Sequence, residues 1–270
     1  MNTGTQARLD RIGTAGNYVV VPMDHGLTLG AVKGLKDIES TIDAVTRGGA
    51  DSVLTQKGIA PRVHGNANGG GFIVHLNGST AVGPDENDKR LTGTVKEAIR
   101  AGADAVSLHL NVGSDYEGKH IEDLARVTEE AHRLGMPVLA MSYARGVNLT
   151  GDDPEHDAEY LAHAARLAEE LGADLVKTAY SGDPESFERV CGSTRLPVII
   201  AGGAPEGDRA TLRAVRGAMD AGGAGVSMGR SIFQHDDPEA IARAVAGVVH
   251  DDLGADAALD RAGLSASSTA

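Results

Sequence analysis

Short apolar, β-branched bursts punctuate the chain, and a different rhythm runs between them. The bursts predict strands at Tyr18–Val21, Ser52–Thr55, Phe72–Leu76, Ala105–His109, Pro137–Met141, Leu175–Lys177, Val198–Ala201 and Gly225–Met228. Between most of them, as in Glu122–Leu134 and Glu155–Leu171, apolar residues recur at three- and four-residue steps, the period of an amphipathic helix. Eight strands alternating with helices imply parallel strands joined by right-handed crossovers. The expectation is an α/β fold, a (β/α)8 TIM barrel forming a single domain over residues 1–270.

A weak internal repeat supports that reading. Gly-Gly-Ala-Asp-Ser-Val (48–53), Ala-Gly-Ala-Asp-Ala-Val (101–106), Leu-Gly-Ala-Asp-Leu-Val (171–176) and Gly-Gly-Ala-Gly-Val (222–226) precede the second, fourth, sixth and eighth strands. Each offers a glycine able to end a helix in a left-handed conformation. A doubly wound open sheet is the competing fold, but Pro22-Met-Asp-His-Gly26, not a G-x-G-x-x-G loop, follows the first strand. The run Gly65–Gly71 reads as a hinge or a surface turn between the second and third strands, and Ala262–Ala270 as a frayed tail. The sequons at Asn77 and Asn148 read as chance matches, because Met1–Gly13 is polar and lacks a secretory core.

Composition narrows the partners. With 25 Lys+Arg against 38 Asp+Glu the net charge is −13, which disfavours nucleic acid and anionic membrane. No apolar run approaches the roughly 20 residues that span a bilayer. The single cysteine, Cys191, excludes an internal disulfide framework and a thiolate metal cluster. These features fit a soluble, cytoplasmic protein. The bases divide into 18 Arg and 7 Lys, and few lysines with many acids is what a GC-rich genome or a salty cytoplasm produces.

In such barrels the chemistry lies at the C-terminal ends of the strands. Those ends read Asp24-His25, Gln56-Lys57, His75–Asn77, His109–Asn111, Tyr143 and Arg145, Lys177, Gly202-Gly203 and Gly229-Arg230. Lys177 lies inside Ala-Asp-Leu-Val-Lys-Thr, a strand otherwise made for burial. An amine of ordinary pKa about 10.4 must be desolvated or set near another cation to be neutral at pH 7, which suits a Schiff-base nucleophile. The alternative is a lysine that snorkels outward or pairs with an aspartate. Lys57 is the rival candidate, more in keeping with a polar loop or a substrate-facing contact.

Asp24 caps an apolar strand and could move protons, or could simply cap the turn before Gly26. Tyr143 is a candidate proton donor or a rim aromatic. Gly202-Gly203 and Gly229-Arg230 end the seventh and eighth strands, where backbone N–H groups can approach an anion and Arg230 can grip it. A phosphorylated ligand is expected there. His25, His75 and His109 lie near strand ends, but there is no H-E-x-x-H or H-x-H pattern, and no metal is expected. His25 more plausibly orients Asp24 or meets substrate.

The runs M-D-H-G (23–26), L-T-G-T-V-K-E-A-I-R-A-G-A-D-A-V-S (91–107), N-V-G-S (111–114), A-M-S-Y-A-R-G (140–146), L-V-K-T (175–178), I-A-G-G (200–203) and S-M-G-R (227–230) resemble the archaeal-type class I aldolases, from about Arg11 to Val249. The resemblance implies a barrel, a Schiff base, no metal or other cofactor, and a large homo-oligomer. It implies Lys177 as the Schiff-base lysine, Asp24 as proton acceptor and Tyr143 as proton donor. Substrate and phosphate contacts would come from Asp24, His25, Gly26, Leu27 and Thr28, from Tyr143, Ala144 and Arg145, and from Gly202, Gly203, Gly229 and Arg230.

Members of the family differ in substrate. Some move a three-carbon unit from a deoxy-ketohexose phosphate onto L-aspartate 4-semialdehyde, on an archaeal route to 3-dehydroquinate and the aromatic amino acids. Others cleave fructose 1,6-bisphosphate or join dihydroxyacetone phosphate to the same semialdehyde. The fructose enzymes tend to carry tryptophan two residues before the tyrosine, and Met141 stands there, so the transferase is favoured. Ala144 departs from the family, where many members have proline, which bears on loop rigidity. A barrel that isomerises or merely binds a phosphosugar, with Lys177 in an ion pair, is the reading from another class.

Overall fold

The computed structural model describes residues 2–203 and 207–264. Strands β1 (Tyr18–Pro22), β2 (Ser52–Gln56), β3 (Gly71–His75), β6 (Ala105–Val112), β7 (Val138–Ala144), β8 (Leu175–Thr178), β9 (Val198–Ala201) and β10 (Gly225–Ser227) close into one barrel in the order β1-β10-β9-β8-β7-β6-β3-β2. Every barrel pair is parallel. Each of the eight expected strands coincides with one of these, so the closed barrel replaces the open sheet as the fold. Two short strands, β4 (Asn77–Gly78) and β5 (Arg90–Leu91), pair antiparallel in an excursion after β3 that the polarity pattern did not predict.

The helices are α1 (Thr3–Ile12), α2 (His25–Leu29), α3 (Ile38–Arg47), α4 (Ala60–His64), α5 (Val95–Arg100), α6 (Glu117–Arg133), α7 (Ala158–Glu170), α8 (Pro184–Gly192), α9 (Asp208–Asp220), α10 (Arg230–Phe233), α11 (Pro238–His250) and α12 (Ala255–Ala262). Helix α7 starts later than its apolar period suggests because Asp157 caps it, its carboxylate accepting from Glu159 N and Tyr160 N at 2.9 and 3.2 Å. None of the described helices is long and apolar enough to cross a membrane.

The repeat before every second strand has a structural reason. Gly49, Gly102, Gly172 and Gly222 take φ of +98°, +77°, +84° and +87°, the left-handed region that releases each chain from a helix into a strand. In three copies an aspartate follows. The carboxylates of Asp51, Asp104 and Asp174 accept the N–H groups of Val19, Phe72 and Val138 on the adjoining strand, at 2.7, 3.1 and 3.0 Å. Their own N–H groups donate back to the carbonyls of the same three residues at 2.9, 2.7 and 2.9 Å. Each aspartate therefore stitches two strands at the base of the barrel. The fourth copy has Ala224, whose carbonyl accepts from Tyr18 N at 2.8 Å.

Two apolar layers follow from the period of two in each strand. Val19, Val53, Phe72, Val106, Val138, Val176, Val198 and Val226 face outward to the helices. Val20, Leu54, Ile73, Ala105, Leu139, Leu175 and Ile199 fill the interior. Leu9 and Ile12 of α1 join that inner layer, so the polar N-terminal segment folds as a plug across the base. Gly71 makes the plug possible, since a Cβ there would come within 2.5 Å of Arg11 O. The glycine-rich run before it is a pinned turn: Asn66 and Asn68 bond to Thr46, and Asn68 also to the Asp43 carbonyl. It lies at the base, away from the strand ends. At the other terminus Ala262 and Leu264 are buried, and residues 265–270 lie outside the described range.

Candidate active site

The same alternation decides what reaches the barrel mouth. Two residues above the inner layer stand Pro22, Gln56, His75, Ser107, Met141, Lys177 and Ala201, and above some of these Asp24, His109 and Tyr143. Leu175 points inward and Val176 outward, so Lys177 points inward again, from the middle of the wall. It is 6% exposed. Among the described residues its Nζ makes no hydrogen bond and no ion pair. The outward-snorkelling or salt-bridged lysine is therefore not what the fold builds.

Asp24 stands at the entry to α2, shielded by three neighbours. His25 Nδ1 lies 3.5 Å from its Oδ1 and His75 Nε2 lies 3.7 Å from its Oδ2. Burial pushes the Asp24 carboxyl up, but the charges of His75, His25 and Lys177 outweigh it and hold the group below the usual carboxylate range. Burial pushes both histidines down, against the pull of Asp24. Asp24 is therefore ionised and open to take up a proton from a ligand in the mouth.

Tyr143 faces it from β7. Its ring lies 5.0 Å from the His109 ring and 5.5 Å from the Arg145 guanidinium carbon. Among the described residues its hydroxyl makes no hydrogen bond, which leaves it free for a ligand. Burial first, then Lys89, push His109 well below its ordinary range. His109 Nε2 lies 2.7 Å from Asn111 Oδ1, and Asn111 Nδ2 donates to Asn87 Oδ1 at 2.9 Å. Asn77, buried, clasps the His109 backbone with both ends of its amide, each at 2.9 Å. That role removes Asn77 from any glycan.

At the last two strands space requires glycine at 202 and 229. A Cβ on Gly229 would lie 2.6 Å from His25 Cε1 and 2.7 Å from Pro22 O, and one on Gly202 would lie 2.9 Å from Met228 Cγ and Ser231 Oγ. Gly203 takes φ +58°. Arg230 Nη2 donates to Gly203 O at 3.2 Å, tying the two turns together. Helix α10 is a single turn, so what it offers an anion is a few N–H groups and little macrodipole.

An open cavity of about 270 Å³ covers this ring. Asp24, His25, Thr28, Tyr143, Arg145, Lys177, Gly202, Gly203, Gly229 and Arg230 all border it. A second cavity of about 210 Å³ adjoins it across Tyr143, Arg145 and the Gly202-Gly203 turn. Three of the expected contact residues do not border the first cavity. Gly26 borders neither space. Leu27 packs where a Gly78 Cβ would stand, at 2.7 Å, and faces only a small side recess. Ala144 puts its methyl into the outer core, because it follows the inward Tyr143, and borders only the second cavity. Lys57 points away from the mouth and pairs with Glu97 at 2.8 Å.

The cavity also gathers groups that the strand-end argument did not predict. Glu86, Asn87 and Lys89, from the β4–β5 excursion, line one wall, and Ser227 borders the cavity with a buried hydroxyl that has no hydrogen-bond partner among the described residues. Among the described residues no three His, Cys, Asp or Glu side chains are placed to share one metal ion.

A closed (β/α)8 barrel with a buried, unpartnered lysine in its mouth is the architecture of the Schiff-base, metal-independent aldolases. The chain belongs to the DeoC/LacD family of aldolases, whose profile matches residues 18–235. It is 61% identical to the 2-amino-3,7-dideoxy-D-threo-hept-6-ulosonate synthase of Halobacterium salinarum, over 97% of this chain and 98% of the relative. It is 38% identical to the 2-amino-4,5-dihydroxy-6-oxo-7-(phosphonooxy)heptanoate synthase of Streptomyces griseus, over 86% and 84%. Among solved structures it matches an archaeal fructose-1,6-bisphosphate aldolase with its catalytic lysine bound to the carbinolamine intermediate. That match has a TM-score of 0.82 and 30% identity, and covers 91% of this chain and 99% of the other.

Proposed function

We propose that the chain catalyses the 2-amino-3,7-dideoxy-D-threo-hept-6-ulosonate synthase reaction, moving a three-carbon unit from a deoxy-ketohexose phosphate to L-aspartate 4-semialdehyde. The observation that carries the chemistry is the Lys177 amine, buried in the barrel mouth without a partner among the described residues. The identity to the Halobacterium salinarum synthase favours this substrate pair over fructose 1,6-bisphosphate.

In this reading the Lys177 amine adds to the donor ketone, and loss of water gives an iminium. Asp24 takes the proton from the hydroxyl beside the bond to be broken. The carbon–carbon bond then breaks, its electron pair moves into the iminium, and the aldehyde fragment departs from an enamine. The enamine carbon attacks the semialdehyde carbonyl, whose oxygen takes a proton from Tyr143, and the proton held by Asp24 then restores the Tyr143 hydroxyl. Water returns to the new iminium and releases product and Lys177. Gly202, Gly203, Gly229, Arg230 and the Ser227 hydroxyl hold the donor phosphate, which fixes the ketone against the amine. Asp24, His25, Thr28 and Arg145 complete the binding wall. The reading extends to a cytoplasmic homo-oligomer that takes no cofactor.

Borohydride reduction with the phosphosugar present tests the scheme. A stable adduct mapped to Lys177 is expected, and Lys177→Arg, which keeps the charge but cannot form the imine, should lose at least about 10³-fold in turnover. An unmodified Lys177, or an active arginine variant, would instead favour an isomerase or binding barrel. Consumption of aspartate semialdehyde against cleavage of fructose 1,6-bisphosphate then separates the substrates.

A further inference from the structure

Lys89 is a buried cation that the scheme above leaves without a task. It is 8% exposed, and its Nζ donates to Ser79 Oγ at 2.9 Å. An ammonium has three donors, and among the described residues no carboxylate lies within 4.0 Å of this one. Burial lowers its affinity for the proton, and the charge of Glu86 is the largest that opposes this. Glu86 is exposed at the rim, and among the described residues its carboxylate forms no ion pair. Both residues border the cavity that holds Lys177.

The segment that carries them is fixed in place. Ser79 Oγ donates to Glu86 O at 2.5 Å, Asn87 is held from β6 by Asn111, and Ala81 N donates to Thr28 O at 3.0 Å. Arg230, which also borders the cavity, serves the glycine turns. Arg145, a further cation of the lining, is engaged by Glu155 at 3.2 Å. Lys89 and Glu86 thus set a positive and a negative group, neither held in a direct ion pair among the described residues, side by side on the lining of the mouth. A zwitterion complements that pair.

We propose that Lys89 and Glu86 form the amino-acid subsite of the acceptor, Lys89 holding its α-carboxylate and Glu86 its α-ammonium, so that the aldehyde carbon faces the enamine on Lys177. This assignment rests on the transferase reading above and names the groups that select its acceptor. The excursion then acts as the specificity element of the barrel: simple aldehydes lack the two charges, and a second phosphate would meet Glu86 as a like charge.

Kinetics with two variants and two acceptors test it. Lys89→Met keeps the buried stem and removes the charge, and should raise KM for L-aspartate 4-semialdehyde about tenfold or more while donor-driven borohydride trapping of Lys177 persists. Glu86→Gln changes an exposed side chain, so its fold is safe. The wild type should prefer aspartate semialdehyde to succinic semialdehyde, which lacks only the α-amino group, and Glu86→Gln should narrow that preference about tenfold. An unchanged acceptor KM in both variants, or a loss confined to the donor, overturns the subsite while trapping still upholds the Schiff base. Failure of trapping in the wild type overturns the parent reading instead.

Discussion

His75 Nε2 stands 3.7 Å from Asp24 Oδ2, and its other ring nitrogen lies 2.7 Å from Ser107 Oγ. The serine hydroxyl can donate to that nitrogen, which turns Nε2–H toward the carboxylate and steadies its ionised form. Asp24 is held below the usual carboxylate range of about 3.9. It is therefore ionised throughout the neutral range, and its basic function is lost only as pH falls through that lowered value. We expect Asp24→Asn to cut kcat by about 10²–10⁴-fold. We expect His75→Leu to move the acid limb of the kcat profile to higher pH. An acid limb that stays in place would remove His75 from this role.

Tyr143 should behave as a proton donor whose loss spares imine formation. Tyr143→Phe keeps the ring against His109 and Arg145, so the fold is expected to stand. Its kcat should drop about 10²–10⁴-fold. Borohydride with the donor should still label Lys177, and a phenylalanine variant with full turnover would assign the proton elsewhere.

Arg230 predicts a phosphate-specific effect. Arg230→Met removes a charged donor and the bridge to Gly203. KM for the phosphorylated donor should rise about 10- to 100-fold, and far less for the dephosphorylated sugar. Equal losses on the two sugars would place the phosphate away from these turns.

A pH effect on stability is expected from the base of the barrel. His250 Nε2 lies 2.9 Å from Asp51 Oδ2, and this hydrogen bond raises the imidazole above its ordinary value of about 6.5. A group raised on folding stabilises fully below its unfolded value and loses that contribution as pH climbs through the folded one. The stability gap between wild type and His250→Gln, followed by denaturant titration, should therefore be widest near pH 6 and shrink as pH rises through the neutral range. A gap that grows with pH would contradict the pairing.

Much of this was legible in the sequence, for reasons the structure makes plain. The barrel strands are buried on both faces, so they read as continuous apolar runs, and the Gly-x-Asp repeat marks a recurrent helix exit and strand stitch. Lys177 was visible because a charge inside such a run has no solvated position to occupy. Lys89 was not. It lies in Asp88-Lys89-Arg90 after a polar stretch, which is the pattern of a solvated loop, and only the backfolding of the excursion across the mouth buries it. Lys57 illustrates the converse, since its place after a strand suggests the site but Glu97, distant in sequence, claims it. Ala144 and Leu27 were named for their adjacency to Tyr143 and to Gly26 and Thr28, and alternation and local packing turn their side chains away from the first cavity.

The β4–β5 excursion leaves the barrel between β3 and α5 and returns without contributing a barrel strand. Its segment is consequently the natural unit for exchange between relatives. Grafting residues 79–89 onto a family member of different appetite should carry the preference for one aldehyde along, while the recipient's own lysine continues to charge itself with sugar.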